Sequence, residues 1–283
     1  MESCLFATDL HGRTDRFEKL FQAIESRSPR AVFLGGDLLP HFARRGDAPD
    51  DFLGEFIAPR LASLKAAMGD RYPAVFAILG NDDYGIEEET VLRIAERGVW
   101  EYVHARCVEF DGYRIYGYAC VPPTPFLLKD WEKYDVSRYT PPGSVSPEEG
   151  RRSVAVDPRD VRHSTIRNDL LNLVGDDDLT DCVFLFHSPP HETNLDRAAL
   201  DGKSIDHVPL DVHVGSIAIR RFIEERQPLV TLHGHIHESA RLTGQWRDRI
   251  GRTHIFNAAH DGPELALVAF DLKYPDDAKR ELL

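Results

Sequence analysis

Five short apolar runs in this chain each stop directly on a residue that can hold a metal ion. Cys4-Leu5-Phe6-Ala7-Thr8 leads into Asp9-Leu10-His11-Gly12, and Ala31-Val32-Phe33-Leu34 into Gly35-Gly36-Asp37. Ala74 to Leu79 ends in Gly80-Asn81-Asp82-Asp83, and Cys182 to Phe186 in His187. Leu229-Val230-Thr231-Leu232 ends in His233-Gly234-His235-Ile236-His237. Runs this short and this apolar read as buried strands. Helical periodicity falls between them. Phe17, Leu20, Phe21 and Ile24 share one face, with Asp15 and Glu18 offering a capping-box-like start. The segment from Phe52 to Met68 is helix-like, with Pro59 as a start or a kink. Further helices are expected near Glu89–Arg97 and over Ile217, Ile219, Phe222 and Ile223. The alternation predicts a layered α/β architecture, whose functional crevice lies beyond the carboxyl ends of the strands. One such junction is coincidence; five are a site.

The alternate histidines of the last run project to one side of an extended backbone. Imidazole nitrogen binds zinc, iron, manganese and nickel, and Gly234 lets the backbone come close to what is bound. Two histidines cannot fill a coordination sphere, so the other strand ends must supply partners.

Later in the chain, Asp111-Gly112 between two apolar segments signals a tight hairpin. Short strands are expected around His254–Asn257 and Leu265–Leu272. The segment from Val121 to Arg152 breaks the rhythm, being rich in proline and charge and carrying Trp131, Tyr134 and Tyr139. It reads either as a surface insertion or as a cap, with its aromatics and Lys129 covering the mouth of the site. The whole chain, 1–283, is expected to form one domain around this insertion.

A net charge of −13 argues against a nucleic-acid partner, which needs a basic face, and suits divalent cations. Cys4, Cys107, Cys120 and Cys182 are scattered and form no metal-binding pair, so they read as reduced core residues. No run reaches membrane-spanning length and no basic region precedes a hydrophobic leader; a soluble, cytoplasmic protein without a membrane partner is expected.

In their order, Asp9-Leu10-His11, Gly36-Asp37, Gly80-Asn81, His187 and Gly234-His235-Ile236-His237 resemble the calcineurin-like metallophosphoesterases. The resemblance runs from about Leu5 to His237 and leaves out the insertion. It implies a four-layer α/β/β/α sandwich with two divalent or trivalent metal ions (manganese, iron, zinc or nickel) at the strand C-terminal ends. It also implies that Asp9, His11 and His237 hold one ion, Asn81, His187 and His235 the other, and that Asp37 bridges them. A carboxylate has two oxygens with which to span two cations, while an amide and neutral imidazoles bind without piling up negative charge. The implied reaction is hydrolysis of a small phosphate ester, a phosphodiester or a monoester, by a metal-bridging hydroxide.

The chain departs from the family at two places. The family usually has a histidine after Gly-Asn; here Asp82 stands at that catalytic position, which leaves open a leaving group that needs no acid, a substitute from elsewhere, or an inactive relative. His191 is the first substitute candidate, His41 and His260 the others, and His233 reads as support rather than ligand. Asp83 reads as a carboxylate that holds a neighbouring ligand by a hydrogen bond. After Asp37 comes Leu38-Leu39-Pro40 rather than an acidic residue and arginine, which disfavours a phosphoprotein substrate; Arg44 and Arg45 follow as possible anion contacts. The alternative reading is a scaffold that keeps the fold with little catalysis.

Overall fold

The computed structural model describes residues 4–41 and 49–283. In chain order the first half holds β1 (Cys4–Ala7), α1 (Thr14–Arg27), β2 (Ala31–Gly35), α2 (Ala58–Met68), β3 (Ala74–Ile78), α3 (Glu88–Ala95), β4 (Glu101–Tyr102), β5 (Arg106–Phe110) and β6 (Tyr113–Tyr118). The second half holds α4 (Pro158–His163), α5 (Ile166–Val174), β7 (Cys182–Phe186), β8 (Ser204–Ile205), β9 (Val208–Pro209), α6 (Ile217–Arg226) and β10 (Val230–His233). The chain then closes with α7 (Ser239–Thr243), β11 (Arg247–Ile250), β12 (Thr253–Asn257), β13 (Ala266–Phe270) and β14 (Lys279–Leu282).

These strands form two six-stranded sheets, ordered β14-β13-β1-β2-β3-β4 and β11-β12-β10-β7-β6-β5. In the first, β1, β2, β3 and β4 run parallel; in the second, β6, β7, β10 and β12 do. Parallel strands covered on both faces must be apolar throughout, which is why β1, β2 and β7 are buried at every residue and read as unbroken runs. The sheets face each other through aromatic contacts: Phe256 lies 5.6 Å from Phe270 and Phe76 lies 5.5 Å from Phe110. Helices cover the outer faces. Phe17 of α1 packs edge-on against Phe52 and Phe56, and Phe222 of α6 stands 5.0 Å from Phe184 of β7. The fold is therefore the expected α/β sandwich with two large sheets between helices.

Local chemistry adjusts several boundaries. Phe52–Ile57 is a π-helical turn, and the α-helix proper begins at Ala58 with Pro59 in its first turn, so the proline starts this helix. Asp15 and Glu18 do not form a capping box. Arg13 stands at the N-cap without a side-chain capping bond, Asp15 pairs with Arg13, and Glu18 reaches Arg60 of α2. Tertiary bonds from His11 N–H to the Asp37 carbonyl and from Gly12 N–H to the Leu38 carbonyl already fix the entry to α1. Asp111 and Gly112 both take positive φ, 51° and 83°, in the β5–β6 hairpin. Cys4, Cys120 and Cys182 are buried thiols outside any disulfide, but Cys107 is exposed, because β5 is an edge strand with one face in solvent. No helix among the described residues is long and apolar enough to cross a membrane.

Candidate metal centre

Because β1, β2 and β3 run parallel, their carboxyl ends place Asp9, Asp37 and Asn81 side by side on one edge of the first sheet. The second sheet does the same for His187 and the His233–His237 loop through β7 and β10. Hydrogen bonds join the two edges. His187 Nδ1 lies 2.8 Å from the Gly35 carbonyl of the opposite sheet, which turns Nε2 towards Asn81 Oδ1 at 3.1 Å and Asp37 Oδ2 at 3.3 Å. His237 Nε2 lies 3.0 Å from Asp9 Oδ1 and 3.1 Å from His11 Nε2. His11 Nε2 is also 4.0 Å from both Asp9 and Asp37. His235 closes the cluster, its ring 5.3 Å from that of His187 and its N–H on the Asp9 carboxylate.

These spacings fit a metal. Bonds of about 2.1 Å set neighbouring ligand atoms roughly 3.0–3.4 Å apart in octahedral or tetrahedral geometry. The cluster offers carboxylate and amide oxygens and imidazole nitrogens at about that separation, a set suited to manganese, iron, zinc or nickel. Three overlapping groups recur: Asp9 with His11 and His237, Asp9 with Asp37 and His187, and His11 with Asp37 and Asp82.

The backbone is bent to make this possible. Asp9, His11, Asp37 and His235 all have φ between 48° and 70°, a region that costs a non-glycine residue of order 1 kcal/mol or more. Gly80 is required by contact: a Cβ there would stand 2.3 Å from Asp37 Oδ1. Asp83, fully buried, accepts N–H groups from Leu38, Leu39 and Gly80 at 3.2, 2.8 and 2.8 Å. It thereby ties the loop after Asp37 to the loop carrying Asn81. Arg16, which no sequence signal marked, spans the Asp9 and Gly262 carbonyls at 2.8 and 2.6 Å and ties the loop after β12 to Asp9.

Burial alone would push the carboxyls of Asp9 and Asp37 up; the neighbouring imidazoles outweigh it and hold both below the usual range. His187 shows the reciprocal effect, with Asp37 and then Asp9 overcoming burial and pushing it up to about 10. Two buried carboxylates call for positive charge at this point. Burial pushes the carboxyl of Asp82 up, and Asp37 adds to the effect. Asp82 is partly exposed at the rim, 3.6 Å from His11 Nδ1, and its N–H donates to Asp37 Oδ1 at 2.8 Å.

The other candidates stand apart. His191 lies 3.3 Å from Asp211 on the loop before α6, outside the three groups of ligand atoms. His260 faces Glu264 at 3.1 Å. His233 has both ring nitrogens engaged, with the Ser188 carbonyl and Thr231 Oγ1, and burial holds it down at about 3. His41 is near enough to act on the Asp82 carboxyl. Arg44 and Arg45 lie outside the described residues. Lys129 cannot reach a substrate, because it is fully buried inside the 121–152 segment against Glu132.

The model of the calcineurin-like phosphoesterase family matches residues 3–239. Uncharacterized protein MJ1162 of Methanocaldococcus jannaschii is 33% identical over 102 residues, 35% of this chain and 40% of its own length. This chain thus spans about two fifths of that relative. TT1561 of Thermus thermophilus has the same fold at 16% identity, with a TM-score of 0.53 over 99% of this chain and 97% of its own. Another crystal structure aligns at 19% identity and a TM-score of 0.59, over 99% of this chain and 98% of its own.

Proposed function

The chain belongs to the calcineurin-like phosphoesterase family, and from that premise we propose that it hydrolyses a small phosphate ester using two metal ions. Asp9, His11 and His237 would hold one ion, and Asn81, His187 and His235 the other. Asp37 would serve both. The observation that carries this reading is the position of Asp37, whose Oδ2 lies 3.3 Å from His187 Nε2 and 4.0 Å from His11 Nε2. Two cations so held would supply Lewis-acid activation of a phosphoryl oxygen and a water nucleophile at neutral pH.

The chain's own residues do the rest. Gly80 and Gly234 clear space beside Asp37 and Asp9, and the Asp83 bonds keep the two ligand loops in register. Asp82 is the protein group at the rim beside His11, so it is assigned the contact with the leaving-group side of the ester. The absence of an acidic residue and arginine after Asp37, together with the net charge of −13, favours a small ester over a phosphoprotein or nucleic acid.

The test is hydrolysis of an artificial phosphodiester and its matched monoester by metal-stripped protein reloaded with manganese, beside an Asp37→Ala control. Turnover should need metal and fall at least a hundredfold in the control, whose metal content should drop in parallel. Turnover that survives stripping, or survives Asp37→Ala, overturns the reading. Two ions bound without turnover would assign the fold to a scaffold instead.

A further inference from the structure

Away from the metal centre, a groove of about 690 Å³ opens between the end of the insertion, the segment that follows it and α4. Its apolar lining includes Val154, Val156 and Val161, of which Val154 and Val156 are 39% and 43% exposed. Three guanidinium groups, Arg152, Arg159 and Arg162, share the lining in a chain whose net charge is −13. Among the described residues, the only carboxylate lining it is Glu148, which is already taken by Arg138 and Arg162 at 2.7 and 2.9 Å and by the Tyr134 hydroxyl at 2.8 Å. Arg152 spends one N–H on the Pro147 carbonyl at 2.7 Å. Among the described residues, nothing engages the Arg159 guanidinium by a hydrogen bond or ion pair.

Hydrogen bonds anchor one end of the groove wall. Ser153, between Arg152 and Val154, is held by Asp130, with its N–H at 2.9 Å and its hydroxyl at 2.6 Å. Asp130 also accepts the Gly85 N–H at 2.8 Å, and Ser153 Oγ accepts the Ile86 N–H at 2.9 Å. A groove of this volume, lined about equally by polar and apolar surface, suits a ligand that is itself half charged and half apolar. The Arg159 guanidinium, with the N–H groups that Arg152 does not spend on Pro147, selects an anionic head, and the valines select an aliphatic body.

We propose that this groove is a second ligand site, which binds an organic anion carrying an aliphatic chain through Arg152, Arg159 and the exposed valines. Its wall shares the Asp130–Ser153 bonds with the chain that follows Asn81, so the site is built onto the loop that bears a metal ligand. The carboxylate head would meet Arg159 and the free N–H groups of Arg152, and the chain would lie on Val154 and Val156. Charge complementarity argues for this occupant: arginines gather here in a chain whose net charge is −13.

Titration calorimetry of the metal-loaded protein with decanoate tests the proposal, with acetate and decyl maltoside as head-only and tail-only controls. Decanoate should bind saturably at one site and the controls should not. Arg159→Glu and Val156→Asp, both exposed positions, should each weaken decanoate at least tenfold with circular dichroism unchanged. Asp37→Ala should bind it as well as the parent chain. Equal binding of decyl maltoside, or an undiminished affinity in either groove variant, overturns the proposal. Loss of binding in Asp37→Ala would place the ligand at the metal centre and also overturn it. A concentration-dependent dimer that Val156→Asp dissolves would assign the groove to a second copy of the chain.

Discussion

Replacing Lys129 with methionine should destabilise the 121–152 segment more than any surface change in this protein. Both Lys129 and Glu132 are fully buried, a state in which a charge persists only when paired. Lys129 Nζ donates to Glu132 and, at 2.9 Å, to the Thr124 carbonyl. Glu132 also accepts the Thr124 N–H at 2.7 Å and its hydroxyl at 2.5 Å. Burial pushes Lys129 down and Glu132 up, and each partner opposes the other's neutralisation. Lys129→Met leaves a buried carboxylate without its counter-charge, which costs about 3–5 kcal/mol. Glu132→Gln, with the lysine kept, strands the opposite charge at a similar cost. The double variant removes both charges; its amide oxygen can keep the Thr124 N–H while its NH2 donates to the Thr124 hydroxyl oxygen. It should lie within about 1 kcal/mol of the parent, because buried pairs seldom add net stability over neutral groups. The assay is amide hydrogen exchange across 121–152, where about 4 kcal/mol reads as a roughly thousandfold faster opening. Additive effects, with the double variant as exposed as the sum of the singles, would refute the reasoning.

Three further outcomes follow from the geometry. His104, whose Nδ1 accepts the Ala119 N–H at 3.0 Å, is held down at about 4 by burial. Below about pH 6.5 the unfolded chain takes up a proton that the folded chain refuses, so stability should fall between pH 6.5 and 4, by at most about 3 kcal/mol. Urea midpoints against pH should show this slope and lose it in His104→Phe; an unchanged slope refutes the assignment. Asp83→Ala removes the acceptor for three backbone N–H groups and should weaken metal binding about 10–100-fold by calorimetry, with Asp83→Asn intermediate. Equal affinity in all three proteins would show that the clamp is dispensable. Gly80→Ala should abolish metal uptake, since its Cβ falls 2.3 Å from Asp37 Oδ1, and an ion count near that of the parent would contradict the fit.

What the sequence made legible, it did through burial. Parallel strands covered on both faces have no polar alternation, so β1, β2, β3, β7 and β10 stand out as apolar runs, and the polar residue that ends each run marks the site edge. The same logic hides β14, whose Lys279-Arg280-Glu281-Leu282 pairs on the outer edge of the first sheet and is read only from its hydrogen bonds. It hides β11 and the two-residue β4 as well, because edge strands carry no strong period. The candidate residues were visible as types at junctions, but what holds them was not. Arg16 sits on a helix where nothing in its neighbours separates it from a solvated arginine, yet the fold buries it and spends it on the Asp9 and Gly262 carbonyls. Lys129 reads as part of a cap over the site because a lysine in a polar stretch is normally exposed; the partner that buries it, Glu132, is three residues away and carries no pattern of its own. The left-handed φ of Asp9, His11, Asp37 and His235 is equally invisible, since only glycine announces that conformation in a sequence. Strain at four residues of one cluster is the physical trace of a constraint stronger than local preference. Cross-sheet bonds such as His187 to Gly35, and the carboxylates that share its charge, supply that constraint only once both sheets have formed.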